Sequence, residues 1–390
     1  MSVAATIPVA DVGLRSANSV SPRADHVEVI PWSGLSTSDR ARWNELRASQ
    51  LEFVTPFFSL EFFDAVHASR GDVLVAVISA QDEVVAFLPF HRIGKVAWPA
   101  GRYFNDAHNL VMRPGTSVDW PWLLKKCGVK AYDFHALVGE QNHLPPSSFQ
   151  GTTESFCALI GNDSKAFLAQ LESDHRTIRR QEQKSRKMAR EIGPLSVEVD
   201  CRDPLLLDQA IRWKRDQYRR TNILDLFTPD WTRDMMRHLH ASQSLGIQSS
   251  GIQSSGMRGI LSVLRAGDTV VATHVGMIEK DLLHYWFPTY DVQYSRYSPG
   301  TALFKEIVRA ADQHGIRCID MGYGEQPYKR KQTDTITTVR HGCVSRSMIY
   351  RNVRALRIAA TAAVKQLPMK AALKHVLRKV NPDAGISKIG

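Results

Sequence analysis

The sequence predicts an α+β (α/β layered) chain of two lobes, each a mixed and mostly antiparallel sheet flanked by helices. Three observations carry this. The chain has 390 residues, 43% hydrophobic and 23% charged, an ordinary globular composition; at roughly 100–200 residues per domain it divides into two. Runs rich in Val and Ile, joined by short polar turns, alternate with segments of helical period. The stretch LPPSSFQGTT (Leu144–Thr153) gathers Pro, Ser and Gly and marks a boundary. The expected organisation is a disordered lead 1–25, an N-terminal lobe 26–150, a C-terminal lobe 151–350 and a basic helical tail 351–390.

VEVIPW (Val27–Trp32) reads as a first strand, and Ser36–Ser49 as a helix with a Ser/Thr/Asp-rich start. Phe57–Ser69 spaces its apolar residues at helical intervals. DVLVAVISAQDEVVAFLPFHRIG is a β-hairpin about the polar turn Ala80–Glu83. A helix is expected near Trp120–Lys126. In the second half a strand, SFCALI, precedes one long polar helix from Ser164 to about Ile192, closed by Gly193-Pro194. Helices follow near Pro204–Arg220 and Pro229–Ser242. The pentapeptide GIQSS at Gly246–Ser250 is repeated at Gly251–Ser255, which reads as a surface loop lengthened by duplication. Ile260–Arg265, Thr269–Ile278 and Leu282–Phe287 are three consecutive antiparallel strands. A loop then leads into helix Gly300–His314, a buried strand Ile316–Met321, the turn GYGEQPYKRKQTD and a further hairpin to about Tyr350. From Asn352 to Lys379 the pattern is helical, broken at Pro368.

The formal net charge is +11, and Arg351–Gly390 alone holds nine Lys/Arg against one acid, Asp383. That places the excess in the tail and argues for an anionic contact outside the folded body. No segment approaches the ~18 uninterrupted apolar residues of a membrane span. Asp11 falls where a signal peptide needs its apolar centre. The five cysteines are scattered without a CxxC pair, so neither a disulfide framework nor a zinc site is expected and a reducing cytoplasm is the inferred compartment. No Walker loop, HExxH, nucleophile elbow or metal spacing is present.

The informative stretch is His284–Lys329: strand, loop, glycine at a helix start, helix, strand. A helix N-terminus exposes unpaired N–H groups and the positive end of the dipole, which suits a pyrophosphate. Gly300 lets an anion approach the backbone. Ser295, Arg296, Ser298 and Thr301 add donors. The alternative is that Ser298-Pro299-Gly300 merely caps a surface helix. Arg176–Arg190 holds seven Lys/Arg against one Glu, fit for a CoA phosphate, a nucleic acid or simply water.

The order of Tyr290-Asp291, Ser298-Pro299-Gly300, Asp320-x-Gly322-x-Gly324 and Tyr328-Lys329 resembles the branch of the GNAT (N-acetyltransferase) superfamily that includes the cellulose-biosynthesis protein CelD, and more remotely the FemAB peptidyltransferases. The resemblance extends to the basic helix, the FFSLEFF segment and Asn105-Asp106, and covers most of residues 50–350. Two departures stand out: the Gly/Ser duplication, and the absence of the Gln/Arg-x-x-Gly-x-Gly loop of ordinary GNAT enzymes. It implies two tandem GNAT-like lobes with the acceptor in the cleft between them, and acetyl-CoA or another acyl-CoA as co-substrate, with no permanently bound cofactor or metal.

Amine acylation needs a proton acceptor, donors for the oxyanion and an acid for the leaving thiolate. Asp320, Tyr328 and Lys329 are the catalytic candidates. Ser295, Arg296, Ser298, Gly300 and Thr301 are assigned to the donor; Asn105, Asp106, Tyr290, Asp291 and Tyr323 to the acceptor. Each has a structural alternative: Asp320 a strand-end cap, Tyr323 edge packing, Lys329 one charge of a solvated surface run. His274, His284 and His108 rank lower, because alternation sets His284 on a face with Leu282 and Trp286. The function expected is acyl-CoA-dependent N-acylation (or O-acylation) of a small polar acceptor, such as an amino sugar or an envelope precursor, by direct attack. The alternatives are an aminoacyl-tRNA-dependent transferase and a non-catalytic accessory of a polysaccharide synthase. The basic tail would meet an anionic inner-membrane surface or a membrane-bound synthase.

Overall fold

The computed structural model describes residues 22–139, 141–242 and 256–366, with side chains omitted from 360 onward. Most of the expected lead, the repeated pentapeptide and the tail past residue 366 lie outside the described residues. The first half comprises β1 (His26–Pro31), α1 (Thr37–Ala48), α2 (Leu60–Arg70), β2 (Val73–Ala80), β3 (Glu83–Ile93), β4 (Val96–Pro99), β5 (Val111–Met112), α3 (Trp120–Lys126) and β6 (Ala131–Leu137). Next come β7 (Phe149–Leu159), α4 (Ser164–Asp174), α5 (Arg176–Glu191), β8 (Leu195–Glu198), α6 (Pro204–Thr221) and α7 (Asp230–Ala241). The chain continues with β9 (Arg258–Ala266), β10 (Thr269–Glu279), β11 (Leu282–Tyr290), α8 (Pro299–Ala310), β12 (Cys318–Tyr323), α9 (Lys329–Gln332), β13 (Thr335–Ser345) and α10 (Met348–Gln366).

These boundaries follow from local chemistry. Ser36 caps α1 in a reciprocal capping box with Asp39. Ser59 accepts from the Phe62 N–H, and Gly71 at φ 75° ends α2. The β2–β3 hairpin turns on Gln81 and Asp82, both at positive φ, as a two-residue turn between right-twisted strands requires. The single helix expected over Ser164–Ile192 is two. His175 is extended (φ −126°, ψ 103°), and the break lets α4 and α5 both pack against α8, which one straight rod cannot do.

The strands form one sheet in the order β1-β2-β3-β4-β6-β13-β7-β12-β11-β10-β9-β8, with β5 paired to β3. All neighbours are antiparallel except β4/β6 and β11/β12. Each parallel pair needs a crossover, and each crossover carries a helix, α3 in one half and α8 in the other. Helices cover both faces. One core joins α1 and α2 to α6 and α7 across both halves, through Trp43, Phe57 and Phe62 with Met235, Met277 and Phe287. A second lies under α4, α5 and α8, a third under α3. A buried ion pair ties the halves: Arg47 donates to Glu279 Oε1 at 2.7 Å and also to the Phe53 and Thr55 carbonyls.

Candidate active site

Strands β11 and β12 pair over only three positions, ending at His284 opposite Asp320. Beyond that point β11 runs on to Tyr290 beside β10 alone. In the β10/β11 register one residue, Gly276, faces two, Tyr285 and Trp286. This bulge bends β11 and sets Trp286 and Phe287 on one face, stacked at 4.9 Å. The sheet therefore opens at His284.

His284 is fully buried and lies between two carboxylates. Its Nδ1 is 3.0 Å from Asp320 Oδ2, and its Nε2 is 3.4 Å from Asp106 Oδ2. Burial by itself would lower the imidazole pKa, but the charges of Asp320 and Asp106 and their hydrogen bonding outweigh it, pushing it up to about 9. Burial likewise works to raise Asp320. The His284 charge and hydrogen bond, the Gly322 N–H and Lys329 overcome that and hold its carboxyl below the ordinary value. Phe57 and Trp286 wall the imidazole edge-on at 4.7 and 5.8 Å.

The turn after β12 completes the arrangement. Gly322 has φ 68°, and a Cβ there would sit 2.7 Å from Asp106 Oδ2. Only glycine admits that carboxylate. Asp106 itself is held by neighbours in the N-terminal half. Asn105 Nδ2 donates to the Ala100 carbonyl at 2.9 Å, and the Asn105 carbonyl lies 3.0 Å from His135 Nε2. His108 Nε2 accepts from the His135 and Ala136 N–H groups, and burial, then His135, lowers its pKa.

Several of the expected site residues are buried in this setting. Lys329 is no member of a solvated surface run: it is 3% exposed and donates to the Gly322 and Tyr323 carbonyls at 3.3 and 2.8 Å. Burial brings its pKa down to about 8, with Asp106 and Asp320 opposing. Asp320 uses both oxygens, on His284 and on the Gly322 N–H at 2.8 Å. Buried Asn105 turns its side chain to backbone and holds the loop. Tyr323 is buried 6.0 Å from the His135 ring, and Tyr328 packs against the α4/α5/α8 core; burial raises both phenols.

The remaining predicted residues gather elsewhere, at the start of α8. Ser298 is left-handed (φ 53°, ψ 56°). Its Oγ accepts from Lys184 Nζ of α5 at 2.7 Å, and its carbonyl accepts from the Thr301 N–H at 3.0 Å. Pro299 has no N–H, so Gly300 carries the first amide of the helix. Ser295 accepts from the Ser298 N–H through its carbonyl. Arg296 is engaged by Glu191 and Tyr297. Asp291 caps the preceding turn through the Gln293 N–H, and Tyr290 lies 3.6 Å from where a Gly300 Cβ would stand. Tyr290 and Asp291 thus flank the helix start rather than His284.

Sequence reasoning ranked His284 low and passed over Lys214. Alternation correctly put His284 inside, but not the carboxylates beside it. The available signal was that the histidine and Asp320 stand on adjoining strands of a crossover unit. Lys214 on α6 donates to the Pro288 carbonyl at 3.1 Å, and burial, then Lys329, lowers its pKa to about 7. His274, stacked on Tyr285 at 4.1 Å, is pushed down to about 3 by burial and then by His284. A surface concavity of about 780 Å³ lined by Arg23, Asp25, Arg113 and Trp122 shares no residue with either cluster.

A histidine clasped by carboxylates where a sheet opens, and separately a helix start with a lysine and a glycine amide, are the parts a group-transfer site for an anionic donor needs. The family model described as "Acetyltransferase (GNAT) domain" matches residues 173–330, a span running from α4 to α9. Over that span the chain matches a GNAT-type acyltransferase domain. Among solved structures it is similar to FemX, at 11% identity over 81% of this chain and 96% of that one, with a TM-score of 0.48. It is also similar to a tandem GNAT protein from the clavulanic acid biosynthesis pathway, at 10% identity over 82% and 98%, with a TM-score of 0.42. No curated protein matches the chain.

Proposed function

We propose that the protein transfers an acyl group from acyl-CoA, acetyl-CoA included, to an amine of a small polar acceptor, with an amino sugar or a polysaccharide or envelope precursor as the acceptor class. The observation that carries this is His284, held between Asp106 and Asp320 where β11 and β12 part. In this reading the acceptor ammonium rests against Asp106. It passes a proton to the Asp106–His284 pair while Asp320 orients the imidazole. The neutral amine attacks the thioester carbonyl; the tetrahedral intermediate collapses, and the CoA thiolate leaves and takes up a proton. The donor's phosphates lie at Gly300, Ser298 and Lys184, a helix start with an adjoining cation. The resemblance of the Tyr290–Lys329 motifs to CelD-like proteins supports the acceptor class.

The exposed arginines of α5 favour a second reading, an aminoacyl-tRNA donor: Arg176, Arg179, Arg180 and Arg186 are all exposed. A thermal-shift panel separates the two. Acyl-CoAs should raise the melting temperature, since a ligand confined to the native state stabilises it by ~2.7 kcal/mol at a hundredfold excess over Kd. An amino sugar should add to that shift. No shift with any acyl-CoA, together with salt-sensitive tRNA binding, would replace the first reading by the second. No response to either leaves the non-catalytic accessory.

A further inference from the structure

Two of the five scattered cysteines are brought together by the fold. Cys157 on β7 and Cys318 on β12 approach to 2.7 Å between sulfurs. Both are partly exposed, whereas Cys127, Cys201 and Cys343 are buried. Their place is specific. Cys157 is the cross-strand partner of Asp320, and Cys318 stands two residues before Asp320 on the same face of β12. The β7/β12 register becomes irregular directly after Asp320, so regular pairing ends beside the carboxylate.

We propose that Cys157 and Cys318 form a site of reversible oxidation, a dithiol that closes to a disulfide by exchange with a small-molecule disulfide and so displaces Asp320 from His284. Its effect on turnover rests on the acyltransfer reading above; the oxidation itself does not. The hydrogen bond that the Cys157 thiol gives to Cys318, then burial and the charges of Cys318, Asp320 and Asp334, push the Cys157 thiol up, so Cys318 opens the exchange. The Cys318 thiolate attacks one sulfur of glutathione disulfide and expels a glutathione thiolate. Cys157 then gives up its proton and attacks the Cys318 sulfur of the mixed disulfide, expelling the second glutathione. Two electrons and both thiol protons end on two glutathione molecules, and the protein gains one S–S bond. A disulfide holds its sulfurs ~2.05 Å apart, so closure is a small movement, and it falls on the strand that aims Asp320.

The test uses the full-length reduced protein, exposed to glutathione disulfide, alkylated and mapped by mass spectrometry. The expected product joins the peptides containing Cys157 and Cys318 with the loss of two hydrogens, and dithiothreitol reverses it. Acyl transfer should fall by up to ~10²-fold, the scale of a 1 Å misplacement, and recover on reduction. Cys157→Ser and Cys318→Ser should each keep the reduced protein's turnover and lose its response to the oxidant. Mixed disulfides that never resolve into a 157–318 link overturn the proposal, as does a link that leaves turnover unchanged. If the reduced protein transfers no acyl group, the functional reading fails separately. The His284 titration by NMR then decides: a shift on oxidation supports displacement of Asp320, and an unmoved titration overturns it.

Discussion

His284 owes its charge to two neighbours contributed from opposite halves of the chain, which ties the state of one imidazole to the fold as a whole. Its folded pKa of about 9 lies above the ordinary 6.5. The stability this contributes is therefore complete below pH 6.5 and is lost as pH rises through 9. Urea midpoints should fall across that window relative to His284→Gln, whose own midpoint lacks this component; parallel curves would show that the imidazole is not charged in the native state. As proton acceptor His284 works only when neutral, so kcat/KM should climb toward pH 9. His284→Gln should lose ~10²–10⁴-fold in turnover along with that limb. Lys329→Ala should destabilise by about 1–3 kcal/mol, because it strips a buried donor from two carbonyls. Arg330→Ala, whose partners Glu154 and Glu325 are exposed, should change little. Chemical denaturation of both variants checks the contrast. At this scale the sequence was legible in residue type and misleading in exposure. KRK looks like one solvated run, yet its first lysine is drawn inward by two carbonyls that only the folded turn presents.

At the level of elements, hairpins, caps and helix starts were legible because they are written in local chemistry: Ser36 with Asp39, Gly71 after α2, Pro299-Gly300 opening α8. What sequence period cannot report is where a regular element is interrupted. The break at His175 and the bulge after His284 answer to tertiary packing rather than to composition. The two glycines of the site region show this division. Gly322 is required by both its backbone and the carboxylate against it, so Gly322→Ala should be destabilising and should displace Asp106. Gly300 has room, with Tyr290 Cδ1 at 3.6 Å as the near neighbour of an added Cβ. Gly300→Val should thus fold normally yet bind acyl-CoA more weakly, because the branched side chain crowds the helix start. Calorimetric titration with acyl-CoA checks both variants. Unchanged affinity in a folded Gly300→Val protein would remove Ser298–Gly300 from the donor site.

Across the whole molecule, one continuous sheet and one shared core bind the halves, and α10 leaves that body after a single anchor. Among the described residues, no helix is long and apolar enough to cross a membrane. Tyr350 and Arg354 both bond Asp133, whose side chain is 5% exposed. Past Arg354 the described side chains are exposed, Leu356 at 70%, and with Ile349 at 77% and Val353 at 42% they form an apolar stripe of helical spacing. Residues 348–366 contain no acid, so pairing with a second α10 would set base against base. An anionic lipid surface matches both the stripe and its charge. A cut at the expected tail boundary, after Tyr350, would take Arg354 from the buried Asp133 and destabilise the body. Truncation after Ile358 keeps the anchor and removes six Lys/Arg, each worth ~1 kcal/mol near an anionic membrane. The shortened protein should retain its melting temperature and turnover and lose binding to phosphatidylglycerol vesicles. The full chain should bind those vesicles in a salt-sensitive manner and ignore pure phosphatidylcholine. Equal binding by both proteins would refute a membrane role for the bases past Ile358.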